Sequence, residues 1–353
     1  MKINCFLSNF DHPVSEDKEI WKKSFPISYL KSKNDDKFTY GDYFNAVLLY
    51  IEKQGLKVIS DIIKNKCKSI NIFLEKHGAF YHPARIEIID DYRSYFFVLN
   101  VAVSDSGKNC LKREYNILKR LNEEFKHSFV PKAYDIGNIN ENINMFLGEW
   151  FDGYNEFHMT KNGDIIVWDN NLGNFTLSKE QKKELYTKAS KILTYYYNIE
   201  TFEQIFPWHH ASGDFIVKCK KDELDLKLIT VRNYAPLFYN PEEGEESSLQ
   251  GLLLFLINLS IRMRLDRIDG VEDIIWGDDS SIHGALKGFF EGLKLKNRNE
   301  LIPYFKTLNC SYIYDLALEI VESYNQMSSD VEIIRKNIGS HIKEFCENCY
   351  GIC

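Results

Sequence analysis

At 353 residues, with 44% apolar and 14% aromatic residues, the chain has material for two domains or two lobes with ample cores. A net charge of −7 argues against a broad surface that tracks nucleic-acid phosphates. The start, MKINCFLSNFDHPVSEDKE, turns polar too soon for a secretory signal, and the most apolar run, Gly251 to Ile261, is shorter than a bilayer span, so a cytoplasmic protein with neither membrane nor nucleic acid as partner is expected.

In chain order, the Lys/Asp-rich stretch KSKNDDK reads as a surface loop, and residues 41–63 have helical apolar spacing that breaks or bends near Gly55. The period then changes. ARIEII (84–89) and YFFVLNVAVS (95–104) read as a β-hairpin, followed by an amphipathic helix with Leu111, Leu118, Leu121 and Phe125 on one face. Two more strands around an Asn-rich turn end near Gly148, completing a small antiparallel sheet with one inserted helix. Beyond 154 the chain turns mainly helical. Ser178 and Gln181 form a capping box ahead of a helix striped by Leu185, Ala189, Ile192, Leu193 and Tyr196. PWHHASGDFIVK (207–218) follows, and GDFIVK with LDLKLITV reads as a second hairpin around CKKDE. Helices run from about 247 to the end, with Gly251–Ile261 as a buried one. WGDDSSIHG (276–284) groups two carboxylates, two hydroxyls and a histidine, and its aspartates and serines suit helix-cap chemistry.

Eight cysteines, mostly isolated, read as reduced thiols. The tail CENCYGIC has C-x2-C-x3-C spacing, which fits either a frayed helix with incidental thiols or a zinc or redox site. At the 207–218 loop, His209, His210 and Asp214 admit a metal-site reading beside one in which both histidines are satisfied by hydrogen bonds.

The order of elements resembles the protein-kinase-like fold, most of all the branch of aminoglycoside and choline phosphotransferases. FVLNVAVSDSGKNCLKREYNILKRL is similar to the family's lysine strand and glutamate helix, VPKAYDIG to its next strand, and MFLGEWFDGYNEF to the strand and hinge that hold adenine. The resemblance covers roughly residues 75–330. It implies an α+β, two-lobed fold: an N-terminal helical extension (1–74), a kinase-like N-lobe (75–152) and a helical C-lobe (153–353) whose segment 207–234 is like a catalytic loop. It also implies Glu114 as the helix glutamate, Glu149, Trp150 and Phe151 at the hinge, and Asn100 where the phosphate-binding lysine would stand.

Two registers compete at the loop. In one, Asp214 is the catalytic base; in the other, which preserves the hairpin length, Asp214 ligates magnesium and His209 stands at the base position. Where the family has its second metal aspartate, this chain has Thr230, Val231 and Arg232, and an arginine repels a metal while attracting phosphate or carboxylate. The resemblance with these departures implies a pseudokinase binding a nucleotide or other anionic ligand in the cleft between lobes, or a scaffold for a protein partner. The alternatives are an active phosphotransferase using ATP and Mg2+, and a metal-dependent hydrolase built on His209, His210 and Asp214.

Overall fold

The computed structural model describes residues 2–8, 12–26, 38–140, 142–169, 172–220, 223–238, 245–269 and 272–352. The KSKNDDK stretch and Cys353 lie outside them. The fold is α+β, and the chain divides into two compact units, Met1–Asp152 and Gly153–Cys353.

The first unit is organised by a six-stranded sheet of order β1-β2-β3-β4-β6-β5, formed by Lys2–Leu7, Ser69–Leu74, His82–Ile89, Ser94–Ala102, Ala133–Ile139 (β5) and Ile143–Glu149 (β6). β1 runs parallel to β2 and every other pairing is antiparallel. The alternation along β2 and β3 puts Ile70, Ile72, Leu74, Ala84, Ile86 and Ile88 on one buried face. That face shares a core with Tyr43, Phe44, Val47 and Tyr50 of α1 (Tyr40–Tyr50) and Ile59 of α2 (Leu56–Ile63). The expected bend near Gly55 is a π-helical turn, Ile51–Gly55, between those helices; a Cβ on Gly55 would stand 3.0 Å from the Tyr50 ring. α3 (Asp105–Glu124), capped by Ser104, packs on β4, β5 and β6 with Tyr115 beside Phe146.

The expected helical extension over 1–74 needs correcting, because it also supplies β1 and β2, which join the sheet. KINCFL and SINIFL are short apolar runs whose partners lie far apart in sequence, so periodicity alone does not separate them from buried helix.

In the second unit, β7 (Phe157–Met159), β8 (Ile165–Val167) and β9 (Phe175–Thr176) form a small sheet ahead of α4 (Lys179–Tyr196), which carries the expected capping box and buried stripe. After β10 (Glu203–Ile205) comes the hairpin of β11 (Phe215–Lys220) and β12 (Glu223–Leu228); β13 (Tyr234–Pro236) then pairs back to β10. α5 (Glu245–Met263) is the buried apolar helix, and no described helix is long and apolar enough to cross a membrane. β14 (Leu265–Arg267) pairs with β15 (Ile274–Trp276), and α6 (Asp279–Leu295), capped by Asp278, leads to α7 (Ile302–Lys306), α8 (Cys310–Ser323) and α9 (Ser329–Ile352).

Two features hold these helices together. Gly284, Gly288 and Gly292 on α6 let its backbone lie directly on α4; a Cβ on Gly288 would stand 2.1 Å from the Thr187 carbonyl oxygen. Polar groups of α5 and of Arg264 just beyond it then anchor the C-terminal region: Asn258 accepts from the Tyr324 hydroxyl at 2.6 Å, Arg262 pairs with Asp330 at 2.5 Å, and Arg264 pairs with Asp279 and Glu344. His341 Nε2 lies 3.0 Å from Ser260 Oγ, which donates to the Ile257 carbonyl and therefore accepts from the imidazole. The expectation of a reduced thiol is corrected at Cys310, which forms a disulfide with Cys346 of the tail. The tail is not frayed but continues α9 to Ile352.

Gly288→Ala must force α4 and α6 apart and is expected to cost about 1–3 kcal/mol, read by urea unfolding; an unchanged midpoint would refute the close packing. Burial, and secondarily Arg264, pushes the His341 pKa down to about 3. The folded protein therefore holds this ring neutral while the unfolded chain protonates it below its ordinary value, so this contribution to stability is complete above pH ~6.5 and declines down to about pH 3, by at most ~1.4 kcal/mol per unit. Thermal melts of His341→Gln between pH 7 and 4 should show a shallower decline than the wild type.

Candidate functional site

The β11/β12 hairpin brings the strongest sequence candidates together. Asp214 ends a turn spanning His210–Asp214 in which Gly213 takes φ +77°, a left-handed conformation that a side chain would strain. The Asp214 carbonyl accepts from the Ile229 N–H at 2.7 Å, so the hairpin ladder fixes its backbone. Its side chain reaches both ends of the segment: Oδ2 accepts from the His209 N–H at 2.8 Å and from Arg232 Nη1 at 2.5 Å, and Oδ1 accepts from Arg232 Nη2 at 2.6 Å. This is a fork-on-carboxylate ion pair with Asp214 buried and Arg232 28% exposed.

Burial lowers the His209 pKa, against an upward pull from Asp214 and Asp266. His210 is fully buried, its ring 5.1 Å from that of Tyr186 and its Nε2 3.2 Å from Asp266 Oδ2, close enough for electrostatic attraction but without hydrogen-bond alignment. Burial outweighs Asp266 and lowers the pKa of His210 too, so both rings stay neutral near pH 7. Asp266 is a residue sequence reasoning missed: from β14 it accepts the Ala211 N–H at 2.7 Å and the Arg267 N–H at 2.6 Å, holding the loop from below. Nothing in RLDRIDG marks it, because its role is set by a contact 55 residues away. Lys182 of α4 was missed as well; buried, it donates to the Gly163 carbonyl and to Asp278.

The arrangement does not fit a bound dication. Asp214 already has both oxygens on Arg232, and a metal would have to displace that guanidinium while gaining one carboxylate. Among the described residues no group of three His, Cys, Asp or Glu could hold a metal ion. The tail thiols do not form a zinc site there either, since Cys346 is bonded to Cys310, and the Cys349 sulfur lies 3.9 Å from the Phe305 carbonyl oxygen.

The remaining candidates lie in the first unit. Asn100 sits on β4 in register between Pro83 and Phe146 and is largely buried. Glu114 is 1% exposed and accepts from the Tyr81 hydroxyl at 2.6 Å. Tyr81 ends the loop between β2 and β3. The Phe80 carbonyl of that loop stands where a Cβ on Gly107 would be, 2.0 Å away, so the loop lies against the first turn of α3. Glu149 Oε2 accepts from the Lys132 N–H at 3.2 Å. Trp150 faces the Arg85 guanidinium, 5.8 Å from its ring centre; Arg85 also lies 4.0 Å over Phe73 and pairs with Glu75. Phe151 is half-buried.

No protein-family model matches this chain, and no curated protein matches it in sequence. Arg232→Met leaves Asp214 buried without its counter-charge and is expected to destabilise by about 3 kcal/mol in urea unfolding. The double variant with Asp214→Asn should recover part of that loss. Additive losses in the two single variants would contradict direct coupling.

Proposed function

We propose that this chain is a non-catalytic, kinase-like protein of the pseudokinase kind, in which the carboxylate of the catalytic-like loop has become a structural link. The observation that carries this reading is the two-point pairing of Asp214 with Arg232. Phosphoryl transfer needs a carboxylate that ligates a metal or receives a proton from the acceptor hydroxyl. Here a guanidinium supplies the neutralising charge that a metal would supply. The order β2-β3-β4-β6-β5, with α3 between β4 and β5, is similar to the small sheet of the kinase-like fold and supports the reading. Glu114 supports it too, since its α3 carboxylate accepts from a tyrosine hydroxyl and Asn100 brings no positive charge.

The ligand class that suits this chemistry is a nucleotide or other small anion bound without a divalent metal. Arg232 is 28% exposed, and its guanidinium, paired with Asp214, is the group of this loop whose chemistry suits an anion.

Two assays test the proposal. Wild type and Asp214→Asn should both show no Mg-ATP turnover above background; a wild-type activity that falls tenfold or more in the variant overturns it. In thermal shift, ATP should stabilise the protein equally with Mg2+ and with EDTA, by about 2.7 kcal/mol at a hundredfold excess over Kd. No shift with ATP, pyrophosphate or phosphate removes the anion from the proposal.

A further inference from the structure

Three cysteines meet where α9 packs against α7 and α8. Cys310 opens α8 and is bonded to Cys346 of α9, with Cα atoms 6.0 Å apart. Cys349 is a buried thiol one helical turn beyond Cys346, and its Sγ lies 3.9 Å from the Phe305 carbonyl oxygen of α7. Residues three apart on a helix share a face, and helix geometry sets their Cα atoms about 5 Å apart, inside the roughly 4.4–6.8 Å range that a disulfide spans. Cys346 therefore has two cysteines within bonding reach, one across the helix interface and one on its own helix.

We infer that Cys346 is the shared sulfur of an internal thiol–disulfide exchange site that ties α8 to α9 or releases it. When local opening of the α9 interface admits water to Cys349, the thiol loses its proton, and its thiolate attacks Cys346 Sγ. The Cys346–Cys349 bond forms as the Cys310–Cys346 bond breaks; the electron pair leaves on Cys310, which takes up a proton. Nothing is oxidised or reduced overall. Burial decides which sulfur becomes available: Cys346 and Cys349 are 4% and 2% exposed, whereas Cys310 is half-buried, so the released thiol is the one that solvent reagents reach. α9 itself stays anchored through Arg264, Arg262 and Ser260, so exchange frees α8 rather than the C-terminal helix.

The test uses the purified, oxidised full chain without added reductant, sampled over time, quenched in acid, alkylated with N-ethylmaleimide and mapped as non-reduced peptides. The expected map starts with the Cys310–Cys346 linkage and gains Cys346–Cys349 together with alkylated Cys310. The rate should rise about tenfold per pH unit below the thiol pKa, because the thiolate is the attacking species. Absence of Cys310–Cys346 at the start, a partner for Cys346 other than these two, or a linkage that never moves to Cys349 overturns the inference. Cys349→Ala should retain the Cys310–Cys346 bond and leave Cys310 unalkylated; alkylation of Cys310 as fast as in wild type also overturns it.

Discussion

A carboxylate taken as far from water as Asp214 is tolerable only when its charge and both oxygens are matched, and the loop from His209 to Arg232 is arranged around that requirement. The His209 N–H closes the turn at one end, and Arg232 draws the chain leaving β12 back to the same oxygens. Gly213 supplies the backbone conformation that lets the turn form, and the Ile229 N–H pins the Asp214 carbonyl. Replacing Arg232 alone leaves the Asp214 carboxylate buried without its counter-charge. The constraint commits both oxygens of Asp214 to partners within the loop.

The same physics recurs through the second unit. Asp266 takes two backbone N–H groups, Lys182 joins a carbonyl to Asp278, and Arg264, just past the end of α5, reaches α6 and α9. Arg264 is also one reason His341 resists protonation, so the polar anchoring of the C-terminal helix is tied to pH as well as to packing. Burial raises the pKa of Glu344, with Asp279 adding to the rise and Arg264 opposing it, so acid relieves this part of the cluster while it burdens His341.

In the first unit the organising constraint is apolar. The sheet buries one face against α1 and α2, and α3 packs across β4, β5 and β6 beside Phe146. Tyr50 and Gln54 both donate to Asp135 on β5, at 2.7 and 2.8 Å, fastening the π-helical turn to the sheet edge. The absence of a side chain at Gly137 leaves room for Gln54 there.

The sequence by itself determined the elements whose signals are local. The Ser178 capping box, the stripe of α4, the two hairpins, the apolar α5 and the bend near Gly55 all follow from periodicity and turn chemistry acting over a few residues. It also marked Asp214 and Arg232 individually, because residue type limits what a carboxylate or a guanidinium can do. Only the tertiary structure decided that these two satisfy each other, that Tyr81 meets Glu114, that Asp266 supports the loop and that Cys346 bonds to Cys310. The glycines of GALKGFFEG mark a smooth helix face, but not that α4 is the helix lying on it. Partners separated by tens of residues leave no periodic trace, since each is selected by distance and burial once the chain is folded rather than by its neighbours in sequence.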